Sequence, residues 1–368
     1  MKSDDVKLTV LCPTYNHEKF IARALNGFIR QKTNFKFEVI VADDASTDRT
    51  QEIIREYAEK HPDLIKPLLR EKNIGAIMNF QDMIKNIPTE YVALCEGDDY
   101  WTDENKLQIQ VDWLDAHPEY SACFHPVRVL FEDKSKTSEL NPSPVPSVHG
   151  FYNPEIDPYT KKDILLADIL KSVSIPTCSL VYRWRFRNGK DLELFRTDIT
   201  PRDVVNQLLH AETGPFHFID KEMGVYYRPM DSYWSSETRS KLFDYTMRYF
   251  DFCEERYGNE FYEFLEKRRQ AYFSSALFSF FSKRDIPSLC KILEYDPCGF
   301  FVAIEKNVLQ PLNEAVKTLE NTLTETNGEC EHLKQKLKKT RHRDRIYRVL
   351  LLFAVIVILY LAIYIGME

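Results

Sequence analysis

The chain predicts an open α/β fold, a mostly parallel sheet with helices on both faces. Three observations carry that expectation. Short apolar runs recur at residues 8–11, 39–42, 64–69 and 91–95. Helical stripes of apolar residues lie between them, and strands alternating with helices close into a parallel sheet. Two of the runs also empty into acidic turns. Val39-Ile40-Val41-Ala42 leads into Asp43-Asp44-Ala45-Ser46-Thr47-Asp48, and Tyr91-Val92-Ala93-Leu94-Cys95 leads into Glu96-Gly97-Asp98-Asp99-Tyr100-Trp101.

The first strand covers 8–11 and ends at Cys12-Pro13. Phe20, Ala24, Leu25, Phe28 and Ile29 recur at helical spacing over 20–30. Residues 39–42 are the second strand, after which Ser46 or Thr47 caps a helix running through Tyr57. The strand at 64–69 is followed by an Asn73-Ile74-Gly75 turn and a helix carrying Phe80, Met83, Ile84 and Ile87. Residues 91–95 are the next strand, 106–116 a helix and 120–131 a strand. The polar stretch 132–160 contains Asn141-Pro142-Ser143-Pro144-Val145-Pro146 and reads as a loop or insertion. Strands at 178–182 and 216–219 flank a helix at 203–211.

Beyond this α/β domain (1–240) the character of the chain changes. Residues 241–305 are helical and aromatic, and Phe243, Tyr245, Tyr249, Phe250, Phe252 and Phe261 are the expected core of a helical subdomain, with a sugar-stacking platform as the alternative. Over 306–346, Leu312, Val316, Leu319, Leu323, Thr326, Cys330, Leu333 and Leu337 alternate in steps of four and three, a seam for an oligomerising stalk. A single amphipathic helix lying on the domain or the bilayer is the alternative. Residues 347–368 end the chain. No charge interrupts 349–367, a span of about 30 Å as a helix, which suits a transmembrane helix. Lys334, Lys336, Lys338, Lys339, Arg341, Arg343, Arg345 and Arg348 precede it, so the positive-inside rule places the preceding domain in the cytoplasm, on the inner (plasma) membrane. Residues 1–7 are polar and do not open a signal peptide.

The 368 residues carry a net charge of -7, which argues against a general nucleic-acid binder. None of the eight cysteines forms a Cys-x-x-Cys pair, so buried free thiols are expected rather than a zinc site.

In an open α/β sheet, ligands sit beyond the carboxyl ends of the strands. Carboxylates there, with a glycine allowing close backbone approach, suit a hard divalent cation bridging to phosphate oxygens. At this point Cys12-Pro13-Thr14-Tyr15-Asn16, Asp43-Asp44-Ala45-Ser46-Thr47-Asp48 and Glu96-Gly97-Asp98-Asp99-Tyr100-Trp101 resemble, in order, the signatures of family 2 glycosyltransferases. The resemblance covers about residues 6–235 and is strongest to about 130. It implies the GT-A fold, a Rossmann-like sheet, with inverting transfer from a nucleotide-diphosphate sugar and Mg²⁺ or Mn²⁺ as cofactor.

By that resemblance, Asp99 is the metal ligand, while Asp98 contacts the ribose or sugar, or shares the ion. Glu96 orients the turn. Helix capping is the structural alternative for Asp98 and Asp99. Asp43 accepts a hydrogen bond from the base, which favours uracil or guanine, and Asp44 supports the loop. Pro13 and Tyr15 shape the nucleotide pocket, with Tyr15 beside the base; a helix N-cap is the bland alternative for Asn16. Asn73 and Gly75 line the donor pocket in relatives; a simple turn is the alternative here. Asp203 opens a helix and resembles the base that takes the acceptor proton; an ordinary N-cap is the alternative, and Asp198 the fallback base. Arg228, in Tyr226-Tyr227-Arg228-Pro229, resembles a diphosphate contact. Met230, Asp231 and Ser232 stand where many relatives have a histidine. The Gln-x-x-Arg-Trp signature of processive synthases is absent, since Asp231-Ser232-Tyr233 precede Trp234. Single-sugar addition is therefore expected.

The expected acceptor is a lipid-linked or surface glycan at the membrane; a protein acceptor, or an inactive scaffold acting through its stalk, are the competing readings. A nucleotidyltransferase would need a glycine-rich phosphate loop, and Cys12-Pro13-Thr14-Tyr15-Asn16 is not one.

Overall fold

The computed structural model describes residues 6–131, 162–171, 175–195, 199, 202–228 and 239–282, and the single positions 295, 310 and 314. It divides into two units, residues 1–269 and 270–368.

Four parallel strands form the first half of the main sheet. They are β1 (Val6–Thr14), β2 (Lys36–Asp43), β3 (Ile65–Leu69) and β4 (Tyr91–Leu94). The helices between them are α1 (Ile21–Ile29), α2 (Thr50–Lys60) and α3 (Ala76–Ile84). The strand order runs 3-2-1-4, so the chain builds outward from β1 and then returns to its other side for β4. That reversal opens a crevice at the carboxyl ends of β1 and β4. The core beneath it stacks Leu8, Val10, Val39, Val41 and Tyr91 against Ala24, Leu25 and Phe28 of α1. Burial of each large side chain contributes about 1.5–3 kcal/mol.

The second half is mixed rather than parallel. The main sheet continues through β9 (Val181–Arg183), β6 (Ala122–Phe124), β10 (Phe216–Phe218) and β8 (Asp163–Ile164), and β9 runs antiparallel to both β4 and β6. A smaller sheet has the order β5 (Tyr100–Trp101), β11 (Gly224–Arg228), β7 (Val127–Phe131). The strand expected over 120–131 is therefore two strands in different sheets. His125-Pro126 makes the break: proline has no N–H for a ladder, and the His125 Nδ1–H donates to the Pro126 carbonyl at 2.8 Å. The strand expected from 178 is preceded by a 3₁₀ turn at Thr177–Ser179.

Helix α2 begins later than expected. Its first N–H groups are met by Asp48 Oδ1, 2.9 Å from the Thr50 nitrogen, and by Glu18 Oε2, 3.1 Å from the Arg49 nitrogen. Ser46 bonds Asp43 instead. The remaining helices are α4 (Lys106–Ala116), α5 (Leu166–Leu170), α6 (Arg202–Ala211) and α7 (Arg239–Ser282). On α7, Phe243, Tyr249, Phe250 and Phe252 are buried, so these rings are core and offer no sugar platform. Cys12, Cys95, Cys123, Cys178 and Cys253 are buried free thiols, as expected. Among the described residues no helix is long and apolar enough to cross a membrane. The 312–337 seam and the 349–367 run fall outside the described residues.

Glu212, just past α6, ties α7 to the sheet domain. Its carboxylate accepts from Arg185 Nη1 (2.9 Å), Arg256 Nη2 (2.8 Å) and Tyr257 OH (2.7 Å), and from Arg256 Nε. Burial alone would raise this carboxyl, but Arg256, Tyr257 and Arg185 outweigh it and hold it at about 2. The folded value lies below the unfolded one, so the contribution is present above about pH 4.5 and is lost as pH falls toward 2. We expect Glu212→Gln to cost about 2–3 kcal/mol at pH 7 and to flatten the acid limb between pH 4.5 and 2. Urea unfolding at both ends of that window tests this; equal midpoints for the two proteins at pH 7 would remove Glu212 from the account.

Candidate active site

The acidic turn is an extension of the β1–β4 ladder. Cys95 N–H donates to the Leu11 carbonyl and Gly97 N–H to the Pro13 carbonyl, both at 3.1 Å. Asp99 N–H then donates to the Glu96 carbonyl at 3.1 Å and closes the turn. Only glycine fits at 97. A Cβ there would lie 2.5 Å from Thr14 Oγ1 and 2.8 Å from His17 Nδ1. Those two atoms, with Asp98 Oδ1, are buried and have no hydrogen-bond partner in the protein. Asp98 Oδ2 is 4.0 Å from His17 Nε2. Three polar atoms without partners on one glycine point to a ligand, because such groups are costly to bury unmatched. His17 was not singled out in the sequence; its only signal there is its place one residue after Thr14-Tyr15-Asn16.

The carboxylates of the turn repel one another in a poorly solvated setting. Desolvation, then Asp98 and Asp203, push Glu96 up to about 8, although its side chain still reaches solvent. Asp99 is driven well up by burial and then by Asp98 and Glu96, against the Tyr227 N–H that donates to its Oδ1 at 2.8 Å. Burial raises Asp98, and His17 and Arg23 pull it back. Asp203 stands in the first turn of α6, is raised by burial, and its charge is felt at Glu96 and Tyr182. The fold therefore brings the expected base and the acidic turn within electrostatic reach of each other.

On the other side of β1, Asp43 ends β2, Asp44 follows it, and both are buried. Asp43 accepts from Ser46 N–H (2.9 Å), the Ser46 hydroxyl and Gln51 Nε2 (2.7 Å). Asp44 supports the neighbouring loop: its two oxygens accept from Ile74 N–H and Gly75 N–H, each at 2.8 Å, and its carbonyl accepts from Asn73 Nδ2 at 3.0 Å. Gly75 turns at φ 87°. Asn16 caps no helix. At φ 55° its Oδ1 accepts from Thr47 N–H at 2.8 Å, which clamps the loop after β1 to the loop after β2. Pro13 lies on β1, and Tyr15, just beyond it, is 44% exposed at this edge, open for stacking. Arg228 ends β11 opposite Phe131; its side chain and Asp198 lie outside the described residues.

No three His, Cys, Asp or Glu side chains among the described residues converge as a metal cage. Magnesium and manganese do not need one, since they are held by one or two carboxylates together with substrate phosphates and water. Asp98, with its partnerless Oδ1, and Asp99 fit that limited role.

We expect Gly97→Ala to push Thr14 and His17 aside, cost about 1–3 kcal/mol and abolish nucleotide binding. Thermal unfolding and a nucleotide titration check it; wild-type affinity in a folded variant would show that the close approach is not needed.

Residues 9–186 match the family described as Glycosyl transferase family 2. An uncharacterized protein of Mycobacterium tuberculosis is 41% identical over 229 residues, 62% of this chain and 61% of that protein's length. The Staphylococcus aureus poly(ribitol-phosphate) beta-N-acetylglucosaminyltransferase TarS is 34% identical over 114 residues, 30% of this chain and 19% of TarS. The crystal structure of TarS 1–349 with UDP-GlcNAc aligns at TM-score 0.48 and 17% identity over 78% of this chain and 91% of that one. The Pyrobaculum calidifontis mannosyltransferase PcManGT, with GDP-Man and Mn²⁺, aligns at 0.49 and 16% over 92% and 85%. Residues 9–186, which contain all three strand-end signatures, thus form a glycosyl transferase family 2 domain.

Proposed function

We propose that the chain is an inverting glycosyltransferase that moves one sugar from a nucleoside-diphosphate sugar, a UDP-sugar, to a hydroxyl of a lipid-linked or surface glycan. The supporting observation is the Thr14–His17–Asp98 set around Gly97, beside Glu96, which lies within electrostatic reach of Asp203. Asp43 and Tyr15 take the base at the β2 side, with Asn73 and Gly75 flanking it. Arg228 meets the diphosphate. Asp98 and Asp99 hold Mg²⁺ or Mn²⁺, which when bound neutralises charge on the leaving diphosphate. Asp203 accepts the proton of the acceptor hydroxyl as it attacks the face opposite the leaving group, and its raised affinity for protons suits a base working near neutral pH. The uncharged 349–367 run behind a basic cluster supports anchoring at the cytoplasmic face of the plasma membrane, where a lipid-linked acceptor would be met.

The test is UDP or GDP release from a panel of nucleotide sugars with Mn²⁺ or EDTA. We expect turnover of one donor class that EDTA and Asp99→Ala both abolish. Asp203→Asn is expected to lower kcat by about 10²–10⁴ with donor KM changed only a few-fold. A folded protein that binds no donor sinks the enzymatic reading, and an unaltered kcat in Asp203→Asn removes that residue as the base.

A further inference from the structure

A concavity of about 510 Å³ runs along α1 and the segment 100–104, and none of the carboxylates assigned above lines it. Arg23 and Arg30 both line it, seven residues apart on one helix face, so about 10 Å separates their backbones. The acids in its wall are already matched. Asp103 pairs with Lys221 at 2.6 Å and Glu104 with Lys32 at 2.5 Å. The two arginines are exposed, and among the described residues neither has a carboxylate partner. The concavity therefore offers two guanidinium groups outside any salt bridge among the described residues, in a chain whose net charge is -7.

Arg23 is also held in place. Its guanidinium sits over the rings of Phe20, Tyr100 and Tyr227 at 5.4, 5.0 and 5.2 Å. Contact with three rings restricts the guanidinium, so less ordering entropy is lost when it donates to an oxyanion. The same Tyr227 donates its backbone N–H to Asp99, and Arg23 acts electrostatically on Asp98. The concavity thus begins beside the acidic turn and leads away from it. Thr102 also lines it, and its hydroxyl suits the hydroxyls of a polyol or sugar.

We propose that this groove binds a phosphate group carried by the acceptor substrate, with Arg23 and Arg30 as its recognition residues. The inference rests on the glycosyltransferase reading of the neighbouring turn. Planar guanidinium forks match phosphate oxygens in bidentate fashion. A phosphate can reach the groove as part of a lipid headgroup or of a phosphate-bearing glycan, and the chemistry is the same for both.

The test is calorimetric titration of the full chain, with UDP and Mn²⁺ saturating the donor side. The probes are glycerol 3-phosphate, glycerol, and dihexanoylphosphatidylglycerol kept below its micelle concentration. We expect saturable binding of at least one phosphate probe, none of glycerol, and affinity about tenfold or more weaker in Arg23→Gln/Arg30→Gln. Binding of the lipid alone assigns the headgroup source, and equal binding of both phosphate probes assigns a phosphate outside a lipid. No saturable binding, or undiminished affinity in a folded double variant, overturns the proposal. If the double variant does not fold, Arg30→Gln alone must still weaken binding. UDP release from the donor without any phosphate probe reads the parent activity separately, so the two readings fail independently.

Discussion

The approach of Gly97 to the end of β1 sets the geometry of the whole carboxyl edge. A bare Cα lets the β4 exit continue the parallel ladder as far as Pro13, and this seats Asp98 and Asp99 beside Thr14 and His17. The loop after β1 is in turn the node for its neighbours. Asp44 N–H donates to the Thr14 carbonyl at 3.1 Å, and Asn16 N–H to Ser46 Oγ at 2.8 Å. Asn16 and Ala45 both hold positive φ, near 55° and 59°, an unfavourable conformation for a residue with a Cβ. Those strained residues persist because three loops determine their positions at once. The strand-end segments behave as one assembly, and a side chain that displaced one would disturb the others.

That assembly concentrates negative charge where water is scarce. Asp98 and Asp99 bind protons more readily than free carboxylates because they are buried, and at Asp99 and Glu96 the neighbouring carboxylates add to the effect. Nearby cations relieve it only at Asp98, through His17 and Arg23. Lys106 is fully buried and donates to Gln110 Oε1 at 2.6 Å over the Trp101 ring at 4.3 Å, a hydrogen-bonded and aromatic setting rather than a salt bridge. Burial pushes its amine down to about 8. A divalent ion with its own phosphate partner would reverse the sign of the local field, which is the physical case for a metal at this turn.

The first four strands and the acidic turns were legible because each combines an apolar run with turn residues of fixed spacing. The second half was not, for three separate reasons. Strands β5 and β8 are two residues each and leave no periodicity to read. Pro126 divides one apolar run between two sheets, and the sequence does not say which half goes where. The Glu212 cluster joins residues up to 45 positions apart, a pairing that local patterns do not encode. At the site, the acids were legible by type but not by role. Asp44 holds the Asn73–Gly75 loop through both oxygens. His17 emerges only once Gly97 is packed against it.

Charge is partitioned across the two sides of the acidic turn. Toward β2 and β3 the edge presents the buried acids Asp43 and Asp44, whose oxygens hold Ser46 and the Asn73–Gly75 loop. Toward α1 it presents two exposed guanidinium groups whose acidic neighbours are already paired. Arg23 lies at the boundary, close enough to lower Asp98 and stacked on the tyrosine whose backbone holds Asp99. An anion bound at Arg23 would weaken the pull of that cation on Asp98 and raise the proton affinity of the turn. A divalent ion on the turn would offset that rise. With both ligands bound, the two sides would be coupled through Asp98, and by linkage any change that one makes in the affinity of the other must be returned in equal measure.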